Sequence, residues 1–489
     1  MAETAEPTLV ELRVLDGANL YFPRPAVKLT LEVPALLSLP EERAAAVAAE
    51  VGLTAGSPGP PGGEQRRRFA TRLLAHLVRR TAAAAGVRAL AVRSRPGPEP
   101  TQVVVAYPWR RQHAAEALGR AVAELVAGVD APGLAERVAR QGAALRDVEP
   151  GPGPSLPVPR VPTVAVTGTN GKTTVTRLIA HMGRCAGLHV GWSNTDGIYR
   201  DGELVEAGDW SGPGGAARVL AQPGIELAVL ETARGGILRR GVGVAHNDVA
   251  VVTNVSADHL GLGGIHTLDQ LAEVKATIVR ITRPSGWVVL NADDPRTLAM
   301  RRQSRARPFL FALDPDAPGL REAQSEGGRA ATVLDGDLVV LDHGRVDRLL
   351  PVLEVPVTLA GLSAPNLANA LEAMDLLDEA WRAASRQLPL QVERLLMPHV
   401  RPEFQCMPPL DEREHVEHLP GAGLAQPGRA RVERHQPIVD GRERVAWHAG
   451  GQPELLGPIA AKAGDDERKT LARVAHAHLV ESATERVRI

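Results

Sequence analysis

Cysteine is nearly absent from this sequence, with only 2 among 489 residues. Cys185 and Cys406 are too few for a disulfide framework or a cysteine-rich zinc site, which indicates a reducing compartment, and we expect the cytoplasm. Long apolar runs are missing too: no stretch of about 18 uncharged apolar residues occurs, and the amino terminus has neither a basic nor an apolar signal region. We therefore expect neither export nor a membrane partner.

Neither sign of charge dominates the chain, whose formal net charge is −1. This balance creates no field for a polyanion, so nucleic acid is not an expected partner. Aromatic residues, at 3%, are too scarce to suggest a stacking surface for a nucleotide-linked sugar. Lysine is scarce as well, with 5 lysines among the 56 basic residues. Two of them, Lys172 and Lys275, lie inside motifs.

A segment rich in proline and glycine, residues 149–162, divides the chain. It cannot sustain a helix and lacks donors for a strand ladder, which predicts a linker. Before it, residues 1–148 alternate strand-like and helix-like patterns, typical of a small α+β domain, with a surface loop at 57–63. Strands are predicted there at 10–19, 26–33, 89–95 and 101–109, and helices at 63–86 and 110–128.

Residues 163–376 carry short apolar runs separated by helical patterns. The predicted strands occupy 163–168, 189–195, 226–232, 249–255 and 286–293. This alternation predicts an α/β domain with a mostly parallel sheet and helices on both faces. The Asp335-Gly336 pair predicts a hairpin in the same domain.

Residues 377–489 lose this periodicity, while arginine, proline and histidine become frequent. One interpretation is a metal-binding tract. However, His415 and His418 have no partners at ligand spacing, which favours a polar segment without a core.

A glycine loop joins an apolar strand to an apolar-periodic helix in TVAVTGTNGKTTVTRLIAHMG. This context is typical of a P-loop, although Val166 stands where the full pattern has glycine. Lys172 is expected to reach the β- and γ-phosphates and Thr173 to ligate Mg²⁺. The alternative is a glycine turn that only caps a helix. The predicted nucleotide-binding residues are Gly168, Thr169, Asn170, Gly171, Lys172, Thr173 and Thr174.

Further polar residues follow two predicted strands, where parallel sheets present their ligands. Glu231 ends one strand, and Asp258 and His259 come shortly after another. A carboxylate suits Mg²⁺, and a neighbouring histidine can ligate or orient. Alternatively, Glu231 pairs with Arg234 or Arg239.

Asp258 also has a second interpretation, in which it only caps a turn. Lys275 lies on a predicted helix that Thr267 opens, where a lysine is ordinarily exposed.

Five motifs occur in order: TGTNGKTT, ETARGGILR, NVSADHLGL, AEVKATIV and VLNADDP. Together they resemble the Mur ligase family of ATP-dependent amide-forming enzymes over about residues 162–374. SNTDGIY and GDWSGP make the resemblance strongest to the Mur-like part of cyanophycin synthetases. Residues 1–148 also resemble the amino-terminal domain of those synthetases, through their LDGAN start and element order.

The resemblance implies a role for each motif residue. Lys172 and Thr173 would hold the γ-phosphate and a first Mg²⁺, and Glu231 and His259 would ligate metal. Lys275 would be carbamylated and help to hold a second Mg²⁺. The implied catalytic residues are Lys172, Glu231, His259 and Lys275, the implied metal ligands are Thr173, Glu231, His259 and Lys275, and Asn291 and Asn366 would line the nucleotide pocket.

The implied reaction is ATP-dependent isopeptide formation through an acyl phosphate. It would join the amine of an amino acid to a carboxylate of an acidic amino acid or peptide. Whether the protein forms a homo-oligomer stays open. Two departures from the family are visible: no ATP-grasp domain separates the two predicted domains, and no Asp-x-Ala-His-Asn-Pro motif of a closing domain occurs after residue 376.

These departures keep alternatives open. The carboxy-terminal region is a divergent closing domain, a degenerate one, or the product of a shifted reading frame. The whole chain is then an active ligase, an ATP-binding scaffold or regulator of the same fold without ligation, or another P-loop ATPase or kinase.

Overall fold

The structure is a computed structural model that describes residues 8–54, 56–258, 260–355, 357, 363–371 and 373. His259 and the predicted carboxy-terminal region 377–489, which includes His415 and His418, lie outside the described residues. None of the described helices is both long and apolar enough to cross a membrane.

The amino-terminal part contains an antiparallel sheet of four strands in the order β1-β2-β4-β3. Its strands are β1 (Leu9–Leu15), β2 (Ala26–Glu32), β3 (Arg93–Pro96) and β4 (Gln102–Pro108). Its helices are α1 (Pro34–Ser38), α2 (Glu41–Glu50), α3 (Glu64–Ala84), α4 (Gln112–Ala127) and α5 (Leu134–Arg146). The strand pair, the long helix and the loop at 57–63 match their sequence predictions, whereas α1, α2 and α5 were not predicted.

Strand alternation separates the two faces of this sheet. Val27, Leu29 and Leu31 of β2 pack with Phe69 and Leu73 of α3 in one apolar core. Alternate residues of the same strands point to the opposite face, as the two-residue period of a strand requires. That second face is directed toward the larger sheet.

The segment 149–162 contains no helix or strand, consistent with its proline content. Its backbone is nevertheless attached on both sides. Gln112 N donates to Pro152 O at 3.0 Å, and Ala245 N donates to Pro157 O at 3.0 Å. The segment therefore connects the two sheets and is hydrogen-bonded to both parts of the chain.

The larger sheet has eleven strands among the described residues, in the order β15-β14-β13-β12-β11-β10-β5-β9-β6-β7-β8. They are β5 (Thr163–Thr167), β6 (Val190–Ser193), β7 (Gly197–Arg200), β8 (Glu203–Ala207), β9 (Leu227–Glu231), β10 (Asn247–Val252), β11 (Thr282–Asn291), β12 (Arg307–Phe311), β13 (Arg329–Leu334), β14 (Asp337–Asp342) and β15 (Arg345–Pro351). The seven strands from β6 through β13 in this order are mutually parallel. The structure thus confirms the predicted α/β class.

Antiparallel hairpins extend the sheet at both edges. Asp335 and Gly336 both have positive φ at the β13–β14 turn, as the sequence predicts. Asp201 and Gly202 form the same kind of turn between β7 and β8. The strands predicted from the sequence do not include that hairpin.

Helices cover both faces of the larger sheet. They are α6 (Lys172–Cys185), α7 (Pro213–Leu220), α8 (Arg234–Arg240), α9 (Leu268–Arg280), α10 (Pro295–Met300) and α11 (Pro318–Ser325), with 3₁₀ turns at Leu262–Gly264, Arg301–Gln303 and Val352–Glu354. Helix α6 and the helical residues 364–371 pack on one face, and α7 to α11 contribute to the core on the other.

The second face also receives the amino-terminal sheet. Leu15, Leu20 and Phe22 join the same apolar core as Val274 and Ile278 of α9. Gly17 permits this close approach, since a Cβ there would lie 1.9 Å from Val242 O. The two sheets therefore share one core.

Strand β5 marks the point where the parallel strand order reverses. The chain passes from β5 to β6 and β9 on one side, then crosses to β10 on the other. The carboxyl ends of β9, β5 and β10 consequently flank a crevice, where open α/β sheets bind ligands.

Candidate active site

The phosphate loop connects β5 to α6 through two glycines that no other residue can replace without strain. Gly168 has φ 154° and Gly171 has φ 85°. A Cβ on Gly168 would lie 1.8 Å from Thr253 Oγ1, and one on Gly171 would lie 2.3 Å from Asn369 Oδ1. The glycines thus let neighbouring polar side chains close around the loop.

Residues that follow β10 hold the loop in shape. Asn170 N donates to Asn254 Oδ1 at 3.1 Å, and Thr253 Oγ1 donates to Asn170 O at 2.5 Å. Thr169 N donates to Asn254 O at 3.0 Å. The loop is therefore fixed before any ligand binds, which reduces the ordering cost of binding a phosphate.

Lys172 begins α6 and folds back over the loop, where its Nζ donates to Thr169 O at 2.9 Å. Thr174 is half-buried in the first turn of the same helix. The helix amino terminus and the ammonium group together place positive charge beside the loop.

Glu231 ends β9 directly beside this loop and is 2% exposed. Its Oε2 accepts a hydrogen bond from Thr173 Oγ1 at 2.8 Å. Thr195, which follows β6, lies 3.3 Å from the same hydroxyl. Burial raises the pKa of the Glu231 carboxyl, while the hydrogen bond from Thr173 and the charge of Lys172 lower it.

The carboxylate of Glu231 is suited to binding a divalent metal ion. Glu231 Oε1 is buried without a hydrogen-bond partner in the described part of the chain. Such an oxygen is costly unless it is paired, and a carboxylate beside a threonine hydroxyl is a donor set that Mg²⁺ prefers. Among the described residues no group of three acidic, histidine or cysteine side chains gathers around it.

Lys275 lies on α9, which begins with a capping box between Thr267 and Gln270. It is 3% exposed, because it shares the apolar side of the helix with Leu271 and Ile278. The alternative in which this lysine is an ordinary exposed residue therefore does not hold. The apolar spacing at 271, 274 and 278 is the signal that places residue 275 inside.

Burial lowers the pKa of the Lys275 amine to about 7, and the charges of Lys172 and Arg234 add to this effect. Asp258 raises the same pKa and is thus also nearby. A lysine with this pKa is substantially neutral at neutral pH, the form that takes up CO₂.

The two predicted asparagines contact different parts of the site. Asn291 Nδ2 donates to Thr253 O at 3.1 Å, and its Oδ1 accepts from Asp293 N, so the side chain supports the end of β10. Asn366 Oδ1 accepts from Asn369 Nδ2 at 3.3 Å, which links it to the phosphate loop.

The structure thus gathers the loop, Glu231, Lys275 and both asparagines around the carboxyl ends of three strands, while His259 lies outside the described residues. Of the two arginines that the sequence offered as partners of Glu231, Arg239 donates to Gly235 O. Sequence reasoning missed three residues at the loop, namely Thr195, Asn254 and Asn369. Thr195 and Asn254 follow strand ends, and this position is the one signal in the sequence from which they could have been predicted.

Comparison with known proteins adds similarities to one family. Residues 166–374 match the model of the Mur ligase middle domain. A cyanophycin synthetase from Synechocystis sp. is 46% identical over 220 residues, which cover 45% of this chain and 25% of that protein. The chain therefore spans about a quarter of the length of this curated relative.

Two other similarities are more distant. A UDP-N-acetylmuramoylalanine--D-glutamate ligase from Symbiobacterium thermophilum is 31% identical over 242 residues, covering 49% of this chain and 45% of that protein. A solved structure of a UDP-N-acetylmuramoyl-L-alanyl-D-glutamate--2,6-diaminopimelate ligase matches 45% of this chain and 46% of that chain, at 24% identity and a TM-score of 0.33. Together with the family model, the sequence matches confirm the resemblance read from the motifs: residues 166–374 match the Mur ligase middle domain and are similar to cyanophycin synthetases.

Proposed function

We propose that the chain is an ATP-dependent ligase that joins the amine of an amino acid to a carboxylate of an acidic amino acid or peptide. The observation that carries this proposal is the meeting of three groups in one crevice. They are a rigid phosphate loop with Lys172, a buried carboxylate at Glu231, and a buried lysine, Lys275, with a pKa of about 7.

The chemistry needs activation, because a carboxylate offers no leaving group to an incoming amine. In the proposed reaction a carboxylate oxygen attacks the γ-phosphorus of ATP, the bond to the β-phosphate oxygen breaks, and ADP leaves. The neutral amine then attacks the acyl carbon, phosphate leaves, and the amine loses its proton. Lys172 and the loop amides stabilise charge on the transferred phosphoryl group.

Thr173 and Glu231 would hold Mg²⁺, which supplies charge neutralisation at the phosphates. Lys275 is suited to carbamylation, in which its neutral Nζ adds to CO₂ and releases one proton. The product is an anionic oxygen ligand on a residue that otherwise carries positive charge. The cytoplasm, where ATP and Mg²⁺ are abundant, suits this chemistry.

The test is isotope transfer. An acidic acceptor with ¹⁸O in its carboxylates is incubated with the protein, ATP, Mg²⁺ and a panel of amino acids, and the released phosphate is analysed by mass spectrometry. We expect ADP formation that requires both acceptor and amine, with one ¹⁸O in each phosphate. ADP formation in the absence of acceptor and amine, or released phosphate without ¹⁸O, would instead identify a simple ATPase. Nucleotide binding without turnover would identify a scaffold.

A further inference from the structure

Asn19, the last residue of the LDGAN segment, organises a tight turn of the amino-terminal domain, the Asn19 turn (residues 16–24). It is 1% exposed, and its side-chain amide makes four hydrogen bonds within the turn. The Oδ1 atom accepts two of them at 3.0 Å, from the backbone N–H groups of Tyr21 and Phe22. The Nδ2 atom donates the other two to backbone carbonyl groups, at 3.0 and 2.9 Å. Both donors and both lone pairs of the amide are thus used, which favours a single conformation of the turn.

The Asn19 turn meets the carboxyl end of α8, where the last carbonyl groups of a helix have no partner within it. Asp16 N and Gly17 N donate to Arg240 O at 2.9 and 3.2 Å. In the opposite direction, Val242 N donates to Ala18 O at 2.7 Å. Gly17 leaves no room for a side chain at this contact, since a Cβ would lie 1.9 Å from Val242 O. The amino-terminal domain therefore caps α8 from a distant part of the chain.

Helix α8 needs such contacts, because it is too weak to form alone. It has seven residues, all described by the structure, of which Ile237 is buried and the others are half-buried or exposed. Two of the seven are Gly235 and Gly236, and each glycine lowers the equilibrium for helix formation about fivefold relative to alanine. Isolated helices shorter than about 12 residues are marginal even in favourable sequences. Contacts at its two ends therefore decide whether α8 is ordered.

The other end of α8 lies at the candidate active site. Arg234, its first residue, is three positions after Glu231. Arg234 is also among the charges that lower the pKa of Lys275, so its guanidinium group lies near that amine. Ala233 N donates to Ser211 O at 2.8 Å, which attaches the start of the helix to the segment after β8. One short helix thus connects the amino-terminal domain to the reacting groups.

We propose that the Asn19 turn is a positioning element of the active site: by capping α8, Asn19 and Gly17 hold Arg234 in place beside the reacting groups. Its effect on turnover rests on the proposed ligase function, whereas the cap itself does not. A misplacement of about 1 Å, caused far from the chemistry, can lower a rate about 100-fold. The amino-terminal domain is therefore part of the catalytic unit and not only a neighbour of it.

Gly17→Ala tests the cap, because it adds one methyl group at the contact with Val242. Gly17 does not have the positive φ that disfavours alanine, so the substitution acts on this contact and not on the backbone. Hydrogen–deuterium exchange with mass spectrometry should show amides of residues 234–242 exchanging about tenfold faster or more, while residues 163–175 keep their protection. The matched control Gly56→Ala, with no atom within 4 Å of the added Cβ, should change neither peptide. Unchanged exchange at 234–242, or an equal increase at 163–175, would overturn the cap.

A compensating substitution in α8 itself sharpens the test. The nearest atoms to a Cβ on Gly235 belong to the flexible Arg239 side chain, at 3.1 Å and beyond, so alanine fits there. Gly235→Ala added to Gly17→Ala should recover about fivefold of the lost protection, because alanine favours the helix. Gly236→Ala is the matched control and should not recover it, since its Cβ would lie 3.0 Å from Pro213. A double variant with Gly235→Ala that exchanges as fast as Gly17→Ala alone would contradict the assignment.

The parent protein offers a measurement that needs no variant. Gly17 N and Val242 N make the hydrogen bonds that join the turn to α8, so their protons should become accessible when the helix opens. Exchange resolved to single residues, and corrected for intrinsic rates, should give protection factors for these two amides and for α8 that agree within about threefold. Protection of Gly17 that persists where Val242 has none would show that the two segments open separately, and the cap would fall.

Turnover separates the positioning role from the ligase proposal. With acceptor and amine present, Gly17→Ala should lower kcat about tenfold with little change in the KM for ATP, because the phosphate loop is untouched. Gly56→Ala should keep both values. Fast exchange in α8 together with parental kcat would overturn the positioning role. Fast exchange in a parent-like protein that ligates no acceptor would leave the cap standing and remove the ligase, and the positioning role with it.

Discussion

The phosphate loop and helix α9 each bring one lysine to the crevice, and the surroundings of the two lysines differ. Lys172 is half-buried among polar groups and donates to a backbone carbonyl of its own loop. Lys275 is 3% exposed, and burial lowers its pKa to about 7. The comparison teaches that burial, and not residue type, decides whether a lysine serves as a cation or as a neutral amine.

The two regions also differ in how visible they are in the sequence. A strand, two glycines, Lys-Thr and a helix predict the phosphate loop from local spacing alone. The apolar spacing of α9 indicates that residue 275 is buried, but nothing local to this helix identifies a reactive amine, because the charges that lower its pKa further, those of Lys172 and Arg234, come from distant parts of the chain. Its role came only from family resemblance.

The largest effect is expected from Lys172→Ala. This variant removes the cation beside the phosphate loop, and we expect turnover to fall by about 10³-fold or more, as for other groups that stabilise a transferring phosphoryl group. The assay is ADP release with acceptor and amine present. Arg184→Ala, near the other end of the same helix, is the control and should keep parental turnover. Parental turnover in Lys172→Ala would contradict the assigned role of the loop.

Lys275→Met should have the next largest effect. It keeps the length and burial of the side chain but cannot be carbamylated, and we expect turnover to fall by about 10²-fold. The parent protein should also lose activity in CO₂-free buffer and recover it with bicarbonate, whereas the variant should not respond. A ¹³C carbamate signal after addition of labelled bicarbonate should appear only in the parent. An active parent protein that is insensitive to CO₂ would exclude carbamylation as a requirement.

A smaller effect concerns stability and its dependence on pH. The pKa of Lys275 is about 7 in the folded chain against an ordinary value of 10.5. Between these two pH values the unfolded chain binds a proton that the folded chain does not, so the free energy of unfolding rises with pH across this window and levels off below it. The difference is on the order of a few kcal/mol.

Urea denaturation in CO₂-free buffer from pH 7 to 9 checks this sign. We expect Lys275→Met to be more stable than the parent at pH 7 and to lack the slope that Lys275 contributes. Arg120→Met, at an exposed position, is the control and should keep that slope. The same slope in Lys275→Met would show that another group produces it.

Much of the fold could be predicted because its signals are local, and the failures have physical reasons. The turn at Asp335 was recognised since apolar strands flank it, whereas the same Asp-Gly signal at Asp201 was missed. There the second strand, β8, is mostly exposed and lacks the alternation that marks a half-buried strand. The loop partner Asn254 follows a strand end and could have been predicted from that position, whereas Asn369 could not, because no strand end or motif in its own segment marks it as a neighbour of the loop.

The smallest effect should come from the capping box that begins α9. Thr267 Oγ1 accepts from Gln270 N, so Thr267→Ala leaves that donor unpaired and should cost about 1 kcal/mol of unfolding free energy. Thr267→Ser retains the hydroxyl and is the matched control. Because the cap acts on the helix of Lys275 and not on the phosphate loop, ATP affinity should stay unchanged while the CO₂ response weakens. An equal loss of ATP affinity would show that the two lysine-bearing regions respond as one unit.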